Sequence, residues 1–168
     1  MFVFSICMIR DLPDLQAQQS TDYAVKANII YRFTKYIDWP DSKKSGDFII
    51  GIVGETGLFD ELKIFVLNKL TGSQKIVVKR FSASAQVFDC QILFISEDAS
   101  ASLKKIAAIS LKMPMLIVSE SDGLSHKGSC INFVIIQDRL KLEINKNNIE
   151  QRNLSIATEL LNLGIIVK

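Results

Sequence analysis

Four short apolar runs constrain this chain more than any other feature. Phe48–Val53 (FIIGIV), Lys75–Phe81 (KIVVKRF), Cys90–Ile95 (CQILFI) and Met115–Val118 (MLIV) are all of strand length, and three of them show almost no apolar–polar alternation. A strand without that alternation is covered on both faces, which is the habit of parallel sheets. Between the runs lie stretches at helical spacing. Leu58, Leu62, Phe65 and Val66 follow the first run, continuing to Lys69 with Gly72 as the stop, and Leu103, Ile106, Ala107 and Ile109 follow the third. This alternation of strand and helix predicts a three-layer α/β fold, with a mostly parallel sheet flanked by helices.

The last third departs from that rhythm. Cys130–Ile136 and Arg139–Ile144 are separated only by Gln137 and Asp138, so they are expected to pair as a C-terminal antiparallel hairpin at a sheet edge. A closing helix is predicted over about 154–163, burying Ile156, Leu160 and Leu161 with Gly164 as its C-cap. At the other end, the spacing of Val25, Ile29, Phe33 and Tyr36, widened by Ile30 and Ile37, predicts an amphipathic helix from Tyr23 toward Pro40. Ser20 or Thr21 is its expected N-cap, Asp22 complements its dipole, and Pro40 ends it.

Composition removes several functional classes. At 168 residues the chain suits one domain, expected over 22–168, which buries roughly 70% of its unfolded surface. The net charge of +2 comes from 20 basic and 18 acidic residues dispersed along the chain, so the dense basic patch that nucleic acid requires is absent from the sequence. No apolar run is long enough to span a bilayer. Residues 1–17 read as a signal peptide or a disordered tail: Phe2–Ile9 has the apolar core of an export signal, although no basic residue precedes it, and Ala17 offers a cleavage point. Besides Cys7, the cysteines are Cys90 and Cys130, each in strand-like apolar surroundings; they read as small buried hydrophobes, and a bond between them is left open.

Catalytic chemistry finds little support. His126 is the single histidine and sits in a polar loop, which leaves a nucleophile–histidine triad or a histidine-rich zinc site without its usual partners. The segment Gly51–Gly57 (GIVGETG) follows a strand and enters a helix, as a phosphate-binding turn would, but its glycine spacing is not that of a dinucleotide fold and Asp60 and Glu61 follow it closely. Glu97-Asp98 and Glu120 with Asp122 are acidic pairs at strand ends, where helix caps and turns also favour them. Asn132 and Asn145 lie in apolar strands and are expected to pin the hairpin or its adjoining loop. No catalytic, cofactor-binding or metal-binding residue is assigned. For a binding protein the candidate partner contacts are Arg32 and Trp39 on or beside the first helix, and Ile149 and Leu154 in the 145–154 connection, because interfaces concentrate energy in aromatic, apolar and arginine anchors; the competing reading of Trp39, as a lone tryptophan, is that it plugs the bottom of the core.

Three blocks of the sequence resemble the YfiR-like family. The first holds Val25-Lys26-Ala27, Tyr31, Phe33 and Trp39-Pro40; the second is Phe48–Gly54 followed by CQILFIS; the third runs through VSESDG, GSCINFV, KLEIN and LSIATELLNLGIIV. The resemblance implies a non-enzymatic regulator, exported to the periplasm or cell envelope, which sequesters the extracytoplasmic sensor part of a membrane diguanylate cyclase in cyclic di-GMP signalling. It also implies a homodimer; from the residues themselves, neither a cofactor nor a nucleic-acid partner is expected. Two departures stand out: Arg32 replaces the smaller polar residue common in the family, and Cys90 has no upstream cysteine partner in the domain. The alternative readings are a nucleotide-binding enzyme using the Gly51–Gly57 turn and a structural envelope adaptor.

Overall fold

The computed structural model describes residues 13–168, with side chains from Asp22 onward. The expected export signal at Phe2–Ile9, and Cys7 with it, lie outside the described residues. In chain order the elements are α1 (Pro13–Tyr36), β1 (Ile37–Asp38), β2 (Phe48–Val53), α2 (Leu58–Val66), β3 (Leu70–Thr71), β4 (Gln74–Phe81), β5 (Ile92–Ile95) and α3 (Leu103–Ile109), followed by β6 (Leu116–Glu120), β7 (Ile131–Ile136), β8 (Arg139–Asn145), α4 (Lys146–Glu150), β9 (Ser155–Ile156), α5 (Thr158–Leu161) and β10 (Ile165–Val167).

The four apolar runs do form strands of one sheet. Its order is β10-β8-β7-β6-β5-β2-β4-β3, while β1 and β9 form a separate two-strand ladder. Strand β2 pairs in parallel with β4 and β5, β5 with β6 and β6 with β7, so the mostly parallel α/β reading holds. The crossover through α2 moves toward one edge and the crossover through α3 toward the other, and right-handed connections then put the two helices on opposite faces. Helix α1 lies with α2: Tyr31 meets Phe65 edge-on at 5.8 Å, and Phe33 reaches Phe133 of β7 at 6.4 Å.

The hairpin of β7 and β8 forms as predicted, from Ile131 against Ile144 to Ile136 against Arg139. Its two turn residues take positive φ, 50° at Gln137 and 57° at Asp138, the geometry that matches the twist of the strands and that asparagine and glycine adopt at lower cost. The hairpin is not at the edge, however. The predicted closing helix shrinks to α5, and the segment beyond it becomes β10, which adds in parallel alongside β8. Gly164, expected as a cap, instead allows close passage, since a Cβ there would lie 2.4 Å from Ile144 Cδ1. The helical spacing after β2 also stops early: Leu70 and Thr71 leave it to form a hairpin with β4 around Gly72, at φ 57°.

Helix α1 departs from expectation at both ends and in its orientation. It begins at Pro13, a residue preorganised for a first helical position, so Ser20, Thr21 and Asp22 fall inside it rather than at its cap. It ends at Tyr36, because Ile37 and Asp38 turn to pair antiparallel with Ile156 and Ser155. The buried seam is Ala27, Ile30, Phe33 and Ile37, whereas Val25 is 45% exposed and Ile29 and Tyr36 are half-buried one step around the helix. Stability should follow this seam: Phe33→Ala is expected to cost about 3–5 kcal/mol, and Val25→Ala under about 0.5 kcal/mol. Urea unfolding of both variants checks this, and equal losses would put Val25 back in the core.

Candidate functional site

Of the concave regions beside α1, two bear most on function, and they differ in chemistry. The first is an apolar groove of about 630 Å³ between α1, β8 and α5. Alternation along β8 turns Leu140 and Leu142 toward it, and its floor is Phe33, Leu142 and Leu160, all buried. Val25 and Leu163 stand at its rim, 45% and 66% exposed. The far wall is held in place by β1 and β9, with a further bond from the Ala157 amide to the Tyr36 carbonyl at 2.8 Å. Arg32 lies on the same face. Its Nε donates to Asn28 Oδ1 at 3.1 Å, and its terminal nitrogens have no partner among the described residues.

The second region lies at the carboxyl ends of β2, β5 and β6, where the strand order reverses and α/β folds often place ligands. It is lined by Tyr23, Glu55, Thr56, Ser96, Glu97, Asp98 and Glu120. The acids there already have partners. Glu120 pairs with Lys26 and accepts the Glu97 amide; Asp98 accepts the Glu55 amide at 3.0 Å and the Ser96 hydroxyl. These donated bonds, the amide first, hold the Asp98 carboxyl below its usual range. Gly54, at φ 95°, brings the turn so close that a Cβ would meet Ser96 Oγ at 2.0 Å, and Gly57 packs against the Tyr23 ring. A phosphate at this turn would find its amide donor occupied and a carboxylate in front of it. The described residues hold no cluster of His, Cys, Asp and Glu fit for a metal ion.

The predicted contact residues separate sharply. Arg32 is exposed, but Trp39, Ile149 and Leu154 are buried at 5%, 0% and 3%, so they support elements rather than present a surface. Trp39 packs edge-on against Phe48 at 5.1 Å and donates its indole N–H to the Gln91 carbonyl at 3.2 Å. Ile149 is carried inward by α4, a short helix whose N-cap is Asn145: its Oδ1 accepts the Asn148 amide while its Nδ2 donates to the Ser125 carbonyl. Asn132 ties β7 to Ser119, Ser121 and Glu143, so both asparagines pin the hairpin and its adjoining loop as expected. His126 is exposed, with Nδ1 3.0 Å from the Lys168 carbonyl oxygen.

One residue escaped sequence reasoning altogether. Arg152 is 2% exposed without a carboxylate partner; Nη1 donates to the Ser110 carbonyl at 2.6 Å and Nη2 to the Ala107 carbonyl at 3.2 Å, which closes the C-terminus of α3. Burial lowers its pKa, and the helix end supplies the compensating negative potential. An arginine within the polar string EQRN carries no local signal of burial.

The cysteines can now be placed. Cys90 and Cys130 are free, and β6 lies between the strands they precede. Two strand spacings are roughly 9–10 Å, beyond the reach of a disulfide. Burial pushes the Cys90 thiol up to about 12, and it raises Cys130 as well.

A family model described as YfiR/HmsC-like matches residues 23–165. No curated protein matches the chain.

Two outcomes follow from this geometry. Iodoacetamide at pH 8 should leave Cys90 and Cys130 unmodified in the folded protein and alkylate both in urea, as read by peptide mass spectrometry; rapid native labelling of either would contradict its burial. Because the folded pKa of Asp98 is depressed, its contribution is present above the unfolded value of about 3.9 and is lost as pH falls through the lower folded value. The Glu55 amide resonance should therefore move with a midpoint below that of a free aspartate, and a midpoint at or above about 4 would mean that the bond is not made.

Proposed function

This chain belongs to the YfiR/HmsC-like family, and we propose that it is an exported, non-enzymatic regulator that captures the extracytoplasmic sensor part of a membrane diguanylate cyclase and holds the enzyme inactive. The family is periplasmic in the resemblance described above, and none of the described helices is long and apolar enough to cross a membrane. The observation that carries the contact assignment is the exposed α1 face, where Arg32 stands beside an apolar groove with its terminal nitrogens unpaired among the described residues. Arginine next to apolar surface is the composition of an interface hot spot. Trp39, Ile149 and Leu154 enter indirectly, by fixing the ends of α1 and the C-terminal segment that forms the far wall.

The rival readings predict different results. A nucleotide-binding enzyme would use the Gly51–Gly57 turn, where the Glu55 amide is engaged by Asp98. A structural adaptor would leave cyclic di-GMP unchanged. Deletion is expected to raise cellular cyclic di-GMP, wild-type protein to restore it, and Arg32→Glu to fail while melting like wild type. A pull-down from solubilised membranes should recover a cyclase with the wild type and lose it with the variant. Unchanged cyclic di-GMP together with no cyclase in the pull-down would sink this reading.

A further inference from the structure

We propose that the groove between α1, β8 and α5 is a binding site for a small amphipathic anion, with a single carboxylate head on Arg32 and a linear apolar tail along Phe33, Leu142 and Leu160. Its volume of about 630 Å³ falls in the range of small-molecule sites, which are mostly apolar with a few convergent polar groups. The apolar residues at its rim, Val25 and Leu163, are left largely in water, and a tail in the groove covers them.

The sign of the head follows from charge. Among the described residues, no acidic side chain lines this groove. Lys26, Lys43, Lys44, Arg80 and Lys146 each face a carboxylate; the terminal nitrogens of Arg32 are among the cations that face none among the described residues, and Arg32 is the one of these that α1 brings to the groove. Its Nε bond to Asn28 fixes the guanidinium and leaves the planar fork that matches a carboxylate with two parallel bonds. The head carries one charge because Arg32 acts alone. Lys141 also borders the groove, but strand alternation places it with Glu143, on the opposite face from Leu140 and Leu142.

Arg32 serves both this site and the proposed partner contact, so the ligand is measured on the full chain with no cyclase present. Calorimetry with octanoate, decanoate and dodecanoate, below micelle formation, should give one saturable site per chain. Affinity should rise about fourfold for each added methylene. Decanol and decyltrimethylammonium should bind at least about tenfold more weakly than decanoate, the difference made by a charge-assisted pair. Arg32→Glu should abolish that preference with unchanged melting, and Arg32→Lys should keep part of it. The site is refuted by absent binding, by equal affinity for the three heads, by a stoichiometry above one, or by an anion preference that survives Arg32→Glu. Failure to capture a cyclase would overturn the regulatory reading alone.

Discussion

Central strands that are covered on both faces impose the strictest condition on this molecule. Ile92, Leu93, Phe94 and Ile95 of β5, and Leu116, Ile117 and Val118 of β6, are wholly removed from solvent. Their amides and carbonyls can be satisfied only by neighbouring strands, so the sheet has to extend on both sides and helices have to close both faces. With α2 committed to covering one crossover, α1 takes the remaining space on that face. Toward β8 the cover thins to the short α5. The groove is therefore what remains where a long helix and a short one do not meet over a sheet that continues beneath them.

Polar groups follow the same economy in the opposite direction. The crevice at the carboxyl ends of β2, β5 and β6 looks like a ligand site by position, yet its carboxylates are used to hold turns, with Lys26 on Glu120 and backbone amides on Asp98. Arg152 shows the same inward use, spending a guanidinium on helix carbonyls. The two Gln side chains near Trp39 do likewise: Gln91 bonds the Ile49 amide and the Lys43 carbonyl, and Gln74 reaches carbonyls from Lys43 to Gly46, which fastens the 41–47 loop. Against that background Arg32 keeps its terminal donors open, among the described residues, beside an apolar surface.

The strands and both crossover helices were legible because unbroken apolar runs and helical spacing are local properties. Asn132 and Asn145 were legible for a related reason, since an amide in an apolar strand must find partners wherever the chain puts them. What was not legible depended on distant pairing. Val25, Ile29, Ile30, Phe33 and Ile37 make two adjacent apolar faces, and only contact with β7 and β9 decides which is buried. The closing segment LSIATELLNLGIIV offers apolar residues at both periods; its β-branched end became β10 because the edge of β8 was open to it. Ile149 and Leu154 looked like surface anchors among polar neighbours, and an asparagine-capped turn carried the first of them inward. Arg32 was identified from its place on the polar side of α1, but the groove beside it was not, because its far wall comes from the other end of the chain.

That last point bears on how the protein is made. The ladder joining Ile37 to Ile156 closes a loop through almost the whole domain, so it is among the last contacts available to a chain emerging from the ribosome. Pairing within β2 to β6 spans shorter sequence separations than this ladder, whereas the wall formed by Leu160 and Leu163 comes from the last-made segment. A chain truncated before α5 therefore lacks the far wall of the groove. The groove beside Arg32 is thus complete only when segments from both ends of the domain have been brought together.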